Sequence, residues 1–339
     1  MSEPSTIHRT GPGSAGLTSI DDRIHVWMPG TPGIWGLANC VLVTSGSEAL
    51  LVDTPYTAAL TTALKEAAAR VLPPGVAIST VINTHANGDH SYGNQLFPEA
   101  EVISTEENLR HLCAEPEPAR FQALLDSCDA TDPFGRYLLG HFGRYDFGGL
   151  AIRRPTRVFS GREELTVGGT TVELIEVGPA HTHGDLIVHI PASQVVCAGD
   201  ILFVGDVPVH WAGPLAGVVD ACQRIVELRP RTVVPGHGPL VGPAEVIAYQ
   251  GYVRALRDRV HDLHRAGMDL DDAARTCLSE FSRADLGLTE RIPLLVATEW
   301  RHLTGDTSPL DLLAVLRKAV EHCPDAVPAT LPPRPGRPS

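Results

Sequence analysis

Four histidines, two aspartates and one asparagine form an ordered series of metal-donor side chains in this sequence. The run Thr84-His85-Ala86-Asn87-Gly88-Asp89-His90 comes first. His181 in Gly-Pro-Ala-His-Thr-His-Gly-Asp, Asp200 in Ala-Gly-Asp and His237 in Pro-Gly-His-Gly follow. Imidazole and carboxylate donors without a thiolate suit Zn²⁺, and also iron or Mn²⁺. His85 and Asn87 project from one side of an extended turn, and Asp89 and His90 come from the next. One loop can therefore offer donors to two adjacent metal positions, with Gly88 permitting the sharp turn between them. A metal so held lowers the pKa of a bound water toward ~7 and polarises a carbonyl. The expected chemistry is attack of metal-generated hydroxide on an ester, thioester, lactone or amide, with Asp89 orienting the nucleophile or shuttling its proton. No Gly-x-Ser-x-Gly elbow offers a serine instead.

Each donor needs a strand end to hold it. Arg23 to Trp27, Asn39 to Val43 and Ala49 to Asp53 read as strands, and Thr57 to Leu72 as a helix stopped by Pro73-Pro74-Gly75. Val76 to Asn83 is a short apolar strand that delivers the His85 to His90 loop. Glu101 to Ser104 is the next strand, and Thr105-Glu106-Glu107 opens a helix with acids in its first turn. Strands are expected again at 157–159, 164–167, 170–177, 186–190 and 194–198, with a hairpin turn at Val167-Gly168-Gly169-Thr170. A helix over 216–228, a strand at 232–234 and a long helix over 243–265 with proline in its first turn complete the pattern. His181, Asp200 and His237 each follow one of these strands, where layered α/β folds place functional loops. Residues 105–150 interrupt the alternation, and form either a lid or substrate wall or an inserted helical pair that only covers the sheet.

The 339 residues are 43% hydrophobic and 20% charged, as in an ordinary globular enzyme. A net charge of −13 disfavours nucleic acid and an anionic membrane surface, both of which need clustered Lys and Arg. Lys65 and Lys318 are the only lysines, so the basic residues are nearly all arginine. No run reaches the ~18 apolar residues of a membrane span, and the polar N-terminus carries no apolar core of a leader. Seven cysteines without CxxC spacing read as buried free thiols, and the expected location is cytoplasmic.

Taken in order, Leu51-Val52-Asp53-Thr54, His85 to His90, His181, Gly199-Asp200 and Gly236-His237-Gly238 resemble the motifs of the metallo-β-lactamase superfamily. The resemblance runs from about Asp21 to Val260. It implies a four-layer αββα sandwich of α/β (α+β) class, preceded by a flexible stretch at 1–20. A helical extension is expected over 261–323 and a disordered Pro-rich tail over 324–339. It further implies one metal on His85, residue 87 and His181, and a second on Asp89, His90 and His237. Asp200 would bridge the two metals, and Asp53 would orient the histidine loop.

Asn87 stands where the family pattern has its second histidine. Three arrangements remain open: the amide oxygen ligates a weaker first metal, one metal works at the intact second site, or the centre is degraded. His183 could supply the missing imidazole, because residues i and i+2 of an extended segment point the same way; otherwise it stands behind the ligands and supports them, or faces solvent. Trp35, His141, Tyr145, His210 and Trp211 are candidate substrate contacts. A cytoplasmic member points to a thioesterase, a lactonase or a polyketide-type thioesterase/cyclase acting on a small-molecule or carrier-bound acyl substrate, with homo-oligomers open. Alternatives are an iron oxidoreductase and a non-catalytic ligand-binding protein.

Overall fold

The computed structural model describes residues 16–308 and 310–335. The expectations for residues 1–15 and 336–339 lie outside the described residues. Sheet A runs in the order β1 (Thr18–Ser19), β2 (Ile24–Trp27), β3 (Cys40–Ser45), β4 (Glu48–Val52), β5 (Ile78–Ile82), β6 (Glu101–Thr105), β7 (Arg157–Phe159). Sheet B has β8 (Arg162–Val167), β9 (Thr170–Glu176), β10 (Leu186–Ile190), β11 (Val195–Phe203) and β12 (Thr232–His237), with β12 and β8 at its edges. The helices are α1 (Ala58–Ala69), the single turn α2 (Gly88–Ser91), α3 (Glu106–Ala114), α4 (Pro118–Ser127), α5 (Pro133–Phe142) and α6 (Leu215–Glu227). After them come α7 (Pro243–Arg265), α8 (Leu270–Phe281), α9 (Arg291–Thr304) and α10 (Leu312–His322).

The period-two alternation explains the layering. Along β3 and β4, Val41, Val43, Leu50 and Val52 face inward to meet Val172, Leu174, Leu186 and Val188 of sheet B. Their neighbours Cys40, Leu42, Ala49 and Leu51 face outward onto Leu64, Ala67 and Ala68 of α1. Each fully buried valine or leucine among these stabilises the fold by about 1.5–3 kcal/mol. On the far side, Ile187, Val196, Ala198 and Val233 pack against Val218, Cys222 and Ile225 of α6, and against Val246, Val253 and Leu256 of α7. The result is an αββα sandwich, as expected from the sequence.

Local signals end the elements where the sequence places them. Thr57 caps α1 by accepting from Leu60 N at 3.2 Å, and Thr105 caps α3 by accepting from Asn108 N at 3.1 Å. Gly168 and Gly169 both have positive φ, so the β8–β9 hairpin uses the turn that only such residues make easily. Parallel pairs β4–β5, β5–β6 and β11–β12 bring their C-terminal ends to one rim. There Leu186 N donates to Thr84 O at 2.9 Å and Asn39 N to Gly236 O at 2.7 Å, locking the two sheets together beside the donor residues.

Three expectations change. β11 and β12 are longer than their sequence signals, so Asp200 lies within a strand and His237 ends one. The start of the tail, expected to be disordered, packs on α5. A side chain at Gly140 would collide with Pro328, and Arg136 Nε donates to Pro328 O at 2.8 Å. Proline-rich composition argues against helix and strand but not against ordered packing. Of the seven free thiols, Cys113 is exposed and Cys128 half-buried, while the other five are buried. No helix among the described residues is long and apolar enough to cross a membrane.

Candidate metal centre

The donor atoms converge on Asp200. Its Oδ2 lies 3.8 Å from His85 Nε2 and 3.5 Å from His181 Nε2. Its Oδ1 lies 3.1 Å from His90 Nε2 and 3.4 Å from His237 Nε2. Asp89 Oδ2 stands 3.4 Å from His237 Nε2 and 4.0 Å from His90 Nε2. One carboxylate thus turns an oxygen toward each of two imidazole pairs, and Asp89 joins only the second pair. The ligand atoms of His85, His90 and Asp200 all lie within 4.8 Å of one another, as do those of Asp89, His90 and His237.

The ring hydrogen bonds decide what faces the centre. Asp53 accepts from Thr84 N at 2.7 Å, from Thr84 Oγ1 at 2.8 Å and from His90 Nδ1 at 2.8 Å. Thr84 Oγ1, its proton given to Asp53, accepts from His85 Nδ1 at 3.0 Å. His181 Nδ1 donates to Val209 O at 2.7 Å. With Nδ1–H committed in all three rings, each Nε2 carries a lone pair aimed inward. His85 Nε2, His90 Nε2 and Asp200 Oδ1 are buried with no hydrogen-bond partner. Acceptors crowded against acceptors in a dry pocket fit a cation, and outer-sphere hydrogen bonds of this kind set imidazole ligands for a metal.

Electrostatics agree for two of these rings, whereas at His90 burial is outweighed by the Asp200, Asp53 and Asp89 carboxylates, which hold it well above its ordinary pKa and favour a cation at that position. Burial keeps His85 well below its ordinary pKa and His181 at about 4, so both stay neutral. Burial would raise Asp200, but the imidazoles of His237, His90 and His181 outweigh it and hold the carboxyl well below its usual range. Gly236 makes room for this arrangement, since a Cβ there would collide with Asp200 Oδ1. Asp53 itself has φ 61°, a left-handed conformation that Asp tolerates better than most side chains.

Asn87 precedes α2 and its Oδ1 is 2.7 Å from His181 Nε2. Because His181 gives its proton to Val209, that contact takes one of two forms. Either the amide is turned so that its N–H donates to Nε2, or its oxygen shares a cation with the ring. His183 is exposed and belongs to neither donor cluster, so it does not replace the missing imidazole.

A cavity of about 720 Å³ opens above these residues. Asn87, Asp89, His181, Asp200 and His237 form its floor, and Trp35, Tyr56, Phe121, Leu124, Phe142 and Trp211 are among its walls. Segment 105–150 builds one wall of this cavity through α4 and α5. α9 and α10 add Arg291 and Leu316. Trp35 and Trp211 line the cavity and stack at 6.3 Å. Three other expected contacts do not reach it. His210 is fully buried behind His181, with Nε2 3.1 Å from Tyr249 OH. Tyr145 is turned into the core, its hydroxyl donating to Trp35 O. His141 packs on Tyr137 with ring centroids 4.4 Å apart. All three sit on segments that reach the cavity, but side-chain direction, which short sequence windows do not report there, turns them away. Thr84 and Arg291 were not anticipated. Thr84 adjoins the histidine loop and could have been suspected; Arg291, 201 residues beyond His90, carries no local signal.

Burial, with the Arg291 and Arg144 charges, lowers His141 to about 4 against an opposing pull from the Ala326 carbonyl. A histidine bound less tightly to its proton in the folded state favours folding above its unfolded pKa, near 6.5, and that stability is lost as pH falls toward the folded value. The contribution is about 3 kcal/mol at most. Urea denaturation at pH 7.5 and pH 5 should show a smaller difference in His141→Gln than in the parent; equal differences would rule this out.

The chain belongs to the metallo-beta-lactamase superfamily, whose family model matches residues 33–237, and is a hydrolase of that group. Among curated proteins it is 26% identical to the acyl-coenzyme A thioesterase MBLAC2 of Gallus gallus over 218 residues, 60% of this chain and 74% of that one. It is also 26% identical to the 2,4-dinitroanisole O-demethylase subunit alpha of Nocardioides sp. (strain JS1661), covering 62% of this chain and 56% of that one. A sec-alkylsulfatase structure from Pseudomonas sp. superimposes with a TM-score of 0.62 at 16% identity. That match covers 87% of this chain, which spans 52% of the sulfatase. A metallo-beta-lactamase from Pontibacter korlensis gives 0.50 at 15% identity, over 70% of this chain and 98% of that one. These structural likenesses show the fold.

Proposed function

We propose that this chain is a metal-dependent hydrolase of acyl thioesters or esters. The observation that carries the reading is Asp200, which turns its two oxygens to two pairs of imidazole lone pairs on the floor of an apolar cavity. His85, His181 and Asp200, with Asn87 beside them, would hold one ion; Asp89, His90, His237 and Asp200 would hold the other. A Zn²⁺, Mn²⁺ or iron ion bound there supplies a nucleophilic water at neutral pH and polarises the substrate carbonyl. Asp89, which lines the cavity, is placed to orient that water and to take its proton. A cavity of about 720 Å³ accommodates an acyl chain, and Leu312 and Leu313, exposed at its mouth, suit the apolar part of a carrier-bound substrate. Similarity to an acyl-coenzyme A thioesterase supports the thioester. Free thiols throughout fit a reducing, cytoplasmic setting.

The test measures metal content by elemental analysis and hydrolysis of short-chain acyl thioesters and matching oxygen esters, before and after chelation. Activity that disappears with the metal and returns with added Zn²⁺ or Mn²⁺ is the expected result, with thioesters the better substrates. A metal-loaded protein that hydrolyses neither series, or one unaffected by complete chelation, overturns the proposal. Iron with oxygen uptake in place of hydrolysis would favour the oxidoreductase alternative.

A further inference from the structure

Arg291 opens α9 and is only 3% exposed, yet it lines the cavity. Its guanidinium lies 3.8 Å over the centroid of the Trp35 ring and 5.4 Å from that of Phe203. Phe203 in turn stacks on His237 at 5.2 Å, so a single ring separates the cation from a candidate metal ligand. An arginine has five N–H donors. Here Nη1 donates to Val207 O at 3.2 Å, and Nε has no partner. Among the described residues no carboxylate oxygen lies within 4.0 Å of the guanidinium. The nearby acids are engaged elsewhere: Glu290 accepts from Tyr137 OH at 2.9 Å, and Asp206 from Gly33 N at 2.7 Å. They balance the charge through space without occupying its donors.

A buried cation with free donors beside an apolar cavity is costly unless something arrives to pair with it. We propose that Arg291 binds a carboxylate carried by the acyl portion of the substrate, making the preferred substrate a dicarboxylic half-thioester or half-ester. This rests on the hydrolase reading above. The planar fork matches two carboxylate oxygens, and the Trp35 ring behind it holds the fork in place. The leaving group is the wrong partner, because a bulky carrier must stay at the mouth, where the exposed Arg120 stands. A buried site serves the part of the substrate that enters.

The experiment compares S-glutaryl and S-pentanoyl N-acetylcysteamine, thioesters of equal chain length that differ in the terminal carboxylate. It also measures binding of glutarate and of neutral glutaramide by calorimetry. The wild-type protein is expected to favour the glutaryl thioester in kcat/KM by about tenfold or more, and to bind glutarate but not glutaramide. Arg291→Gln, with metal content and melting checked, should lose both preferences, and Arg291→Lys should keep part of them. An unchanged substrate ratio in Arg291→Gln overturns the proposal. So does wild-type protein that binds glutaramide as well as glutarate, a result that needs no folded variant. If neither thioester turns over while glutarate binding still depends on Arg291, the hydrolase reading fails and the anion site stands.

Discussion

Replacing Asp200 with alanine is expected to empty the centre of metal and lower kcat/KM by at least about 10³-fold, the effect of losing several kcal/mol of transition-state charge stabilisation. Among the described residues no other side chain faces both imidazole pairs: His85 and His181 meet its Oδ2, His90 and His237 its Oδ1. Without it, the first position keeps only neutral donors and the second keeps one anion, Asp89. The variant should nevertheless fold. Burying the carboxylate is itself costly and offsets part of the attraction from the imidazoles around it, so its loss need not unfold the chain. Elemental analysis, kinetics and thermal melts recorded in chelator separate these effects. A variant that kept its metal, or activity within tenfold of the parent, would mean the ions do not sit where Asp200 points. The outcome also bears on Asn87: if the metal count falls from two, the amide accompanies a real first site, and if it falls from one, only the second was filled.

Asp53→Asn tests the outer sphere and should weaken metal binding about 10–100-fold while costing about 1–3 kcal/mol of stability. The substitution preserves size, and Asn tolerates the left-handed backbone that Asp53 adopts. What it removes is acceptor capacity. Oδ1 receives Thr84 N–H, whereas Oδ2 receives both Thr84 Oγ1–H and His90 Nδ1–H. An amide nitrogen at Oδ1 confronts the Thr84 N–H, and one at Oδ2 confronts the His90 N–H. Either placement sets donor against donor in a buried site and frees His90 to change tautomer. Chelator competition gives the metal affinity, and urea melts with and without chelator give the stability. Parent-like affinity would show that Asp53 does not orient His90. Because His85 is held through Thr84 Oγ1, which also leans on Asp53, both halves of the centre should weaken together.

Much of this was legible in the sequence, for identifiable reasons. Strands β3, β4, β10 and β11 announce themselves as short apolar runs bounded by turn residues, because both faces of each are buried, and β9 does so by alternation. The helix starts at Thr57 and Thr105 were visible because a capping hydroxyl acts within three residues. His85, Asp89 and His90 were readable as one motif, since a short loop fixes their relative positions. Misreadings have the opposite character. His210, Tyr145 and His141 were near the cavity along the chain yet turned into the core, and Pro328 sat in a stretch whose composition suggested no contact at all.

By itself, then, the sequence determined the donor inventory, the strand and helix pattern that carries it, and the substitution at residue 87. Each of these depends on neighbours a few bonds away. Only the tertiary structure decided which oxygen of Asp200 serves which imidazole pair, that Asn87 meets His181 across 94 positions, and that Arg291 enters the cavity from the C-terminal helices. Those facts arise from packing between segments far apart in the chain. Contacts of that kind leave no period or spacing in the sequence.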